Sequence, residues 1–122
     1  MAWEVRFDLA FDPEFDTLPT AVQDELLAQA KLLEAFGPAL ARQWVDTLNG
    51  SRHANMKELR FQDDNGVWRV AFAFDPRRKA ILLVAGDKSG VNERRFYRRL
   101  IEKADARFET HLDRLKDERK SG

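Results

Sequence analysis

Polar and apolar residues alternate from Trp3 to Asp8, with Trp3, Val5 and Phe7 set against Glu4, Arg6 and Asp8. That period of two predicts a half-buried strand. From Pro19 to Phe36 the spacing changes: Val22, Leu26, Leu27, Ala30, Leu33 and Phe36 recur every three or four residues, the stripe of an amphipathic helix. Gly37 and Pro38 end it, since glycine accepts a left-handed terminal conformation and proline cannot extend the hydrogen-bond ladder. A second, shorter helix is predicted over 38–48, with Pro38 in its first turn and Leu40, Trp44, Val45 and Leu48 as its apolar face. The two helices would form a hairpin, followed by a polar loop over 49–55.

Beyond that loop the segments 56–61, 67–74 and 80–85 are short and rich in Val, Ile, Leu and Phe, with turn residues at 62–66 and 75–79. They predict three consecutive hairpin-connected strands. Over 92–116 the residues Phe96, Tyr97, Leu100, Ile101, Ala104, Phe108, Leu112 and Leu115 return to helical spacing, so a long final helix packs back on the sheet. The tail 117–122 is expected to be frayed and solvated. The predicted order β-α-α-β-β-β-α is an α+β plan: a mainly antiparallel sheet with an N-terminal helical hairpin and a C-terminal helix. Helices gathered on one face would leave the other face free. With 122 residues and neither repeat nor linker, one domain over 1–122 is expected.

Composition narrows the chemistry. Nine Phe and three Trp supply a core, and the lack of cysteine removes disulfides, thiolate nucleophiles and Cys-based metal sites. A reducing cytoplasm fits. No leader-like stretch opens the chain and no 18-residue apolar run occurs, so neither export nor membrane spanning is expected. A net charge of zero conceals an asymmetry: residues 1–56 carry nine acids against four Lys and Arg, residues 57–122 twelve against seventeen. The second half suits a polyanion, whose phosphates clustered cations neutralise; a solvated surface would show the same split.

Strand alternation sorts the candidates. If Leu59 and Phe61 point to the core, Glu58 and Arg60 face the other way; if Trp68, Val70, Phe72 and Phe74 are core, Arg69 joins them beside the small Ala71 and Ala73. Arginines with one carboxylate on an open face suit a phosphodiester, because a guanidinium grips phosphate oxygens and stabilises charge that grows on them. The alternative is a surface ion pair of little consequence. Lys88 follows the last strand, and Arg94, Arg95, Arg98 and Arg99 crowd the start of the final helix. Cations are disfavoured at that end of a helix dipole, which points to RNA or ribosome contact over local stabilisation. The turn from Gly86 to Gly90 lacks the spacing of a P-loop. His53 and His111 form no metal-ligand spacing, so no metal and no cofactor are expected; His111 reads as a packing residue, while the loop position of His53 and the proton-transfer chemistry open to imidazoles make it a candidate base.

The runs 45–60 (VDTLNGSRHANMKELR), 68–76 (WRVAFAFDP) and 83–90 (LVAGDKSG), then Phe96-Tyr97, Ile101, Ala104-Asp105 and His111-Leu112, resemble the HigB-like branch of the RelE/ParE toxin family in the family's order. That resemblance implies a RelE-like fold and a metal-independent endoribonuclease that cuts mRNA on the ribosome. It implies a toxin restrained by a helix-turn-helix antitoxin of HigA type, acting in the cytoplasm. The reaction it implies is attack of the ribose 2′-hydroxyl on the adjacent phosphate. It assigns Arg69, then Arg60 and Lys57, to phosphate stabilisation, Glu58 or His53 to the base, and Lys88 or Tyr97 to the leaving group or base stacking. Gln43-Trp44 after Arg42 stands where relatives often show proline, and the Gly86–Gly90 turn differs from RelE branches that end in a catalytic Tyr-rich segment. The alternatives are a ParE-like poison of DNA gyrase and a non-catalytic module that docks on a ribosome or partner.

Overall fold

The computed structural model describes residues 3–40, 43–63 and 65–121, with the side chains of residues 120 and 121 left aside. Its strands are β1 (Glu4–Phe7), β2 (Val45–Thr47), β3 (Met56–Asp63), β4 (Gly66–Phe74) and β5 (Lys79–Asp87); its helices are α1 (Phe11–Phe15), α2 (Thr20–Phe36) and α3 (Glu93–Ser121), with a 3-10 turn over Gly37–Ala39. They build one five-stranded sheet in the order β1-β5-β4-β3-β2. Three of its four pairings are antiparallel; β1 lies parallel to β5.

Helices cover both faces. On one, Val22, Leu26 and Leu33 of α2 and Phe11 and Phe15 of α1 pack against Leu59, Phe61, Val70, Phe72 and Leu82. On the other, Leu100, Ala104 and Phe108 of α3 pack against Met56, Ala71, Ala73, Ile81 and Leu83. The expectation of a free sheet face is therefore corrected. The cause lies in β5, whose residues Ala80 to Val84 are all buried: a strand apolar on both sides needs two covers. Ala71 and Ala73, small residues expected on that open face, are covered as well, and their size lets α3 approach the sheet.

Two local features also differ from expectation. Residues 38–48, predicted as a helix, hold the 3-10 turn and edge strand β2; Ala41 and Arg42 within that span lie outside the described residues. Strand pairing wins there because Val45 and Leu48 serve opposite cores, which one helical face cannot do. The added strand satisfies the β3 edge, where the Arg60 N–H donates to the Trp44 carbonyl and the Leu48 N–H to that of Met56. The helix preceding α2 is instead the five-residue α1, nucleated by Asp8: its carboxylate accepts from the Ala10 N–H and its carbonyl from Phe11 and Asp12. At the far end α3 continues through Ser121, past the boundary expected at Lys116, and Gly122 of the expected frayed tail lies outside the described residues.

Gly37 ends α2 at φ +54°, and a Cβ there would stand 2.2 Å from the Trp3 ring. Only glycine fits both the left-handed backbone and that contact.

Candidate functional site

Arg60 and Arg69 are direct cross-strand partners of β3 and β4. The Arg60 N–H is spent on Trp44, the residue before β2, so the pair is the non-hydrogen-bonded kind, in which side chains lie closest. Two like charges opposed in this way repel. Glu58, two residues before Arg60 on the same face, offsets the repulsion: its Oε1 accepts from Arg60 Nε at 3.0 Å and lies 3.9 Å from Arg69 Nε. The Arg60 guanidinium is held even more firmly protonated than usual, first by that hydrogen bond, against an opposing push from burial.

Tyr97, one turn into α3, closes the cluster. The Tyr97 hydroxyl accepts from Arg69 Nε at 3.2 Å and donates to Glu58 Oε1 at 3.3 Å. Burial raises the Tyr97 pKa, with the Arg69 hydrogen bond opposing and the Glu58 charge adding, so the phenol keeps its proton. Lys88 Nζ sits 5.7 Å from the Tyr97 ring centroid and donates to exposed Glu93 at 2.6 Å; Arg60 reaches Asp46 at 3.1 Å. Exposure is graded: the side chain of Glu58 is 3% exposed, Arg69 12% and Arg60 38%. The second oxygen of Glu58 is buried with no hydrogen-bond partner among the described residues.

The structure thus brings together Glu58, Arg60, Arg69, Lys88 and Tyr97. It does not bring in Lys57, which points to the opposite face and donates to Thr47. Nor does it bring in His53, whose ring contacts Glu109 at 3.2 Å and meets Phe108 edge-on. His111 pairs with buried Asp75 at 2.8 Å, as a clamp between α3 and the β4–β5 turn. Sequence reasoning gave no part in the site to Asp46 and Glu93, the two rim carboxylates, or to Asp105, which holds the 49–55 loop through the Ser51 hydroxyl and the Arg52 N–H. Asp46 was hidden by the helix expected over it; Glu93, beside the arginines in sequence, pairs with Lys88.

Arg94, Arg95, Arg98 and Arg99 are exposed and no ion pair joins their side chains to a carboxylate among the described residues. They divide between two flanks of α3. Arg94 and Arg98 border a groove of about 660 Å³ beside Tyr97, with Arg52 opposite; Arg95 and Arg99 face a second groove along β5. Among the described residues, no three His, Asp or Glu side chains converge as metal ligands, and no helix is long and apolar enough to cross a membrane.

Comparison with known proteins places the chain in a family. The family described as "Phage derived protein Gp49-like (DUF891)" matches residues 13–109. "Putative toxin HigB2" of Mycobacterium tuberculosis is 45% identical over 93 residues, which is 75% of this chain and 46% of that protein. "Putative toxin HigB3" of the same organism is 51% identical over 81 residues, covering 66% and 68%. The chain thus spans about half the length of the first relative. Among solved structures, a mutant of the E. coli toxin RelE in the free state superposes with a TM-score of 0.57 over 84% of this chain and 97% of that one, at 13% identity. The archaeal RelE–RelB complex from Pyrococcus horikoshii gives 0.57 over 75% and 100%, at 18% identity. At such identities the likeness establishes the fold, which is RelE-like.

Proposed function

The chain belongs to the Gp49-like family of phage-derived proteins, as a HigB-like member of the RelE superfamily, and from that premise we propose that it is the toxin of a toxin-antitoxin pair, an endoribonuclease that cleaves mRNA on the translating ribosome. The observation that carries the chemistry is the pair Arg60 and Arg69, side by side on one sheet face with Tyr97 hydrogen-bonded to Arg69. Its partners are mRNA, the ribosome and a HigA-like antitoxin, its compartment is the cytoplasm, and it needs no metal.

The reaction is an internal transfer. The ribose 2′-oxygen forms a bond to phosphorus as the bond to the 5′-oxygen breaks, leaving a 2′,3′-cyclic phosphate and a 5′-hydroxyl. Charge grows on the non-bridging oxygens, where guanidinium donors at fixed positions act most strongly. Arg69 is fixed by Tyr97 and the Trp68 carbonyl, and Arg60 by Glu58. An incoming phosphate competes with Asp46 and Glu93, both outside the buried shell, for Arg60 and Lys88. Tyr97, protonated at neutral pH, is suited to give a proton to the leaving 5′-oxygen.

Glu58 is a positioning residue in this scheme. Buried, with Oε1 committed to Arg60 and Tyr97, it cannot reach a ribose hydroxyl without disrupting the site. The 2′ proton passes to solvent or to a ribosomal group. Arg94 and Arg98, beside Tyr97, would hold flanking RNA phosphates.

The test is induced expression of the wild type and of Arg69→Ala, with primer extension on translated and untranslated copies of one mRNA. Cuts confined to the translated copy, and lost in the variant, are expected. Growth arrest without cuts would overturn the reading in favour of gyrase poisoning or docking alone.

A further inference from the structure

The upper half of β5 is an open strand edge. β1 pairs with it only at Lys79 to Leu82; the Asp8 N–H then closes on the Leu82 carbonyl and the Arg107 guanidinium takes that of Leu83. The Lys88 N–H donates to Val67 of β4, and the antiparallel alternation from that point turns the N–H and C=O of Ala85 and Asp87 away from β4. Those four groups form a half-ladder at strand spacing, the arrangement that takes up an added strand.

The edge borders a groove of about 600 Å³ whose other wall is α3. Phe96 and Leu100 supply its apolar part, Phe96 sitting where a Cβ on Gly86 would stand 2.8 Å away. Val91, 55% exposed, stands at its mouth. Arg95 and Arg99, one helical turn apart, carry no carboxylate partner among the described residues, and Lys103 on the next turn lies in the field of Glu14. Two carboxylates also line the groove, Glu102 and Asp87; that of Asp87 is turned into the strand by the Val67 N–H and by Ser89.

We propose that this groove binds an extended acidic segment of a partner protein, which adds a strand to β5 at Ala85 and Asp87 and places its carboxylates on Arg95 and Arg99. Backbone hydrogen bonds give such a complex its affinity, and the alternate side chains its selectivity. A nucleic acid fits less well: its phosphates satisfy the two guanidiniums, but its hydroxyl and base donors do not recur at the spacing of a strand, which the Ala85 and Asp87 groups present. The inference stands apart from the ribonuclease reading.

The experiment is an NMR titration of the isotopically labelled chain with a synthetic peptide alternating Glu and Val, closed by proline at each end against self-association. The same peptide with Lys for Glu and an RNA hexanucleotide are run beside it. The acidic peptide is expected to shift the amides of residues 84–87 and 91–100 and to slow hydrogen exchange at Ala85 and Asp87. The doubly substituted chain Arg95→Glu, Arg99→Glu, folded by circular dichroism, is expected to bind it at least about tenfold more weakly, as for loss of partly exposed charge pairs. Three outcomes would overturn the proposal: no protection at Ala85 and Asp87, equal binding by the Lys peptide or the doubly substituted chain, or shifts of the same amides by RNA alone.

Discussion

Replacing Glu58 by alanine removes the carboxylate between two arginines that face each other across β3 and β4. Breaking a buried ion pair costs about 3–5 kcal/mol when the remaining charge is left with nothing. Two features reduce that figure here. Arg60 is 38% exposed and keeps Asp46, so solvent and a second carboxylate take up part of its charge. One oxygen of Glu58 is already buried without a partner among the described residues, so its removal also relieves a cost. About 2 kcal/mol remains, which for a domain of this size corresponds to a melting temperature lower by roughly 8 °C. Glu58→Gln keeps an oxygen for Arg60 and Tyr97 and should lose about 1 kcal/mol, the difference between a charged and a neutral acceptor.

Cleavage should follow the same order, measured as primer-extension yield per unit time over a range of pH. Glu58→Ala is expected to fall about a hundredfold, because Arg69 and Tyr97 lose their anchor and small displacements of catalytic groups are costly. Glu58→Gln should stay within roughly tenfold of wild type, since the geometry survives, with the same pH profile. If Glu58→Gln cleaves as poorly as Glu58→Ala while melting like the wild type, the carboxylate is itself the base and the positioning argument fails.

Gly37→Ala is expected to lose about 2–4 kcal/mol in urea unfolding, from backbone strain together with the Trp3 clash. Gly90→Ala, at φ +70° with open space around it, should lose only about 1 kcal/mol, and equal losses would discredit the clash. The Arg107 hydrogen bond holds Glu14 below its ordinary carboxyl range, burial opposing. A depressed folded pKa gives stability that is present above the unfolded value and disappears as pH falls through the folded one. The urea midpoints of wild type and Glu14→Gln should therefore converge on acidification from pH 6 to 3; a gap that stays constant contradicts the linkage. For Arg94→Ala with Arg98→Ala, RNA affinity should drop and the slope of log affinity against log salt should lessen by about one per lost phosphate contact; an unchanged slope removes these residues from the RNA path.

Much of the site was readable because alternation alone puts Glu58, Arg60 and Arg69 on one side of two strands, whatever covers that side. Tyr97 and Lys88 took a chemical role only through the resemblance; α3 brings Tyr97 to the cluster, and the end of β5 brings Lys88 beside it. Lys57 and His53 were misplaced for different reasons. Lys57 is adjacent to Glu58 in sequence, so the pleat sends it to the other face. His53 sits in a loop whose path depends on the distant carboxylate of Asp105, and local pattern carries no information about such an anchor.

The periodicities of β1, α2, β3, β4, β5 and α3 are local properties, written in which residues repeat and at what interval, and for long segments they are strong enough to survive packing. The exchange of a helix for β2 over 45–47 was decided elsewhere: an open β3 edge and two separate cores for Val45 and Leu48 outweighed a weak helical stripe. The same holds for the covering of both sheet faces, though the unbroken apolar run from Ala80 to Val84 was its sequence mark. Burial of Glu58 beneath Tyr97, on which the proposed positioning role rests, needed the docking of α3 on the sheet. Composition set which chemistry was available; the contacts between elements distant in the chain decided which groups meet, since desolvation and hydrogen-bond geometry exist only once those elements are packed.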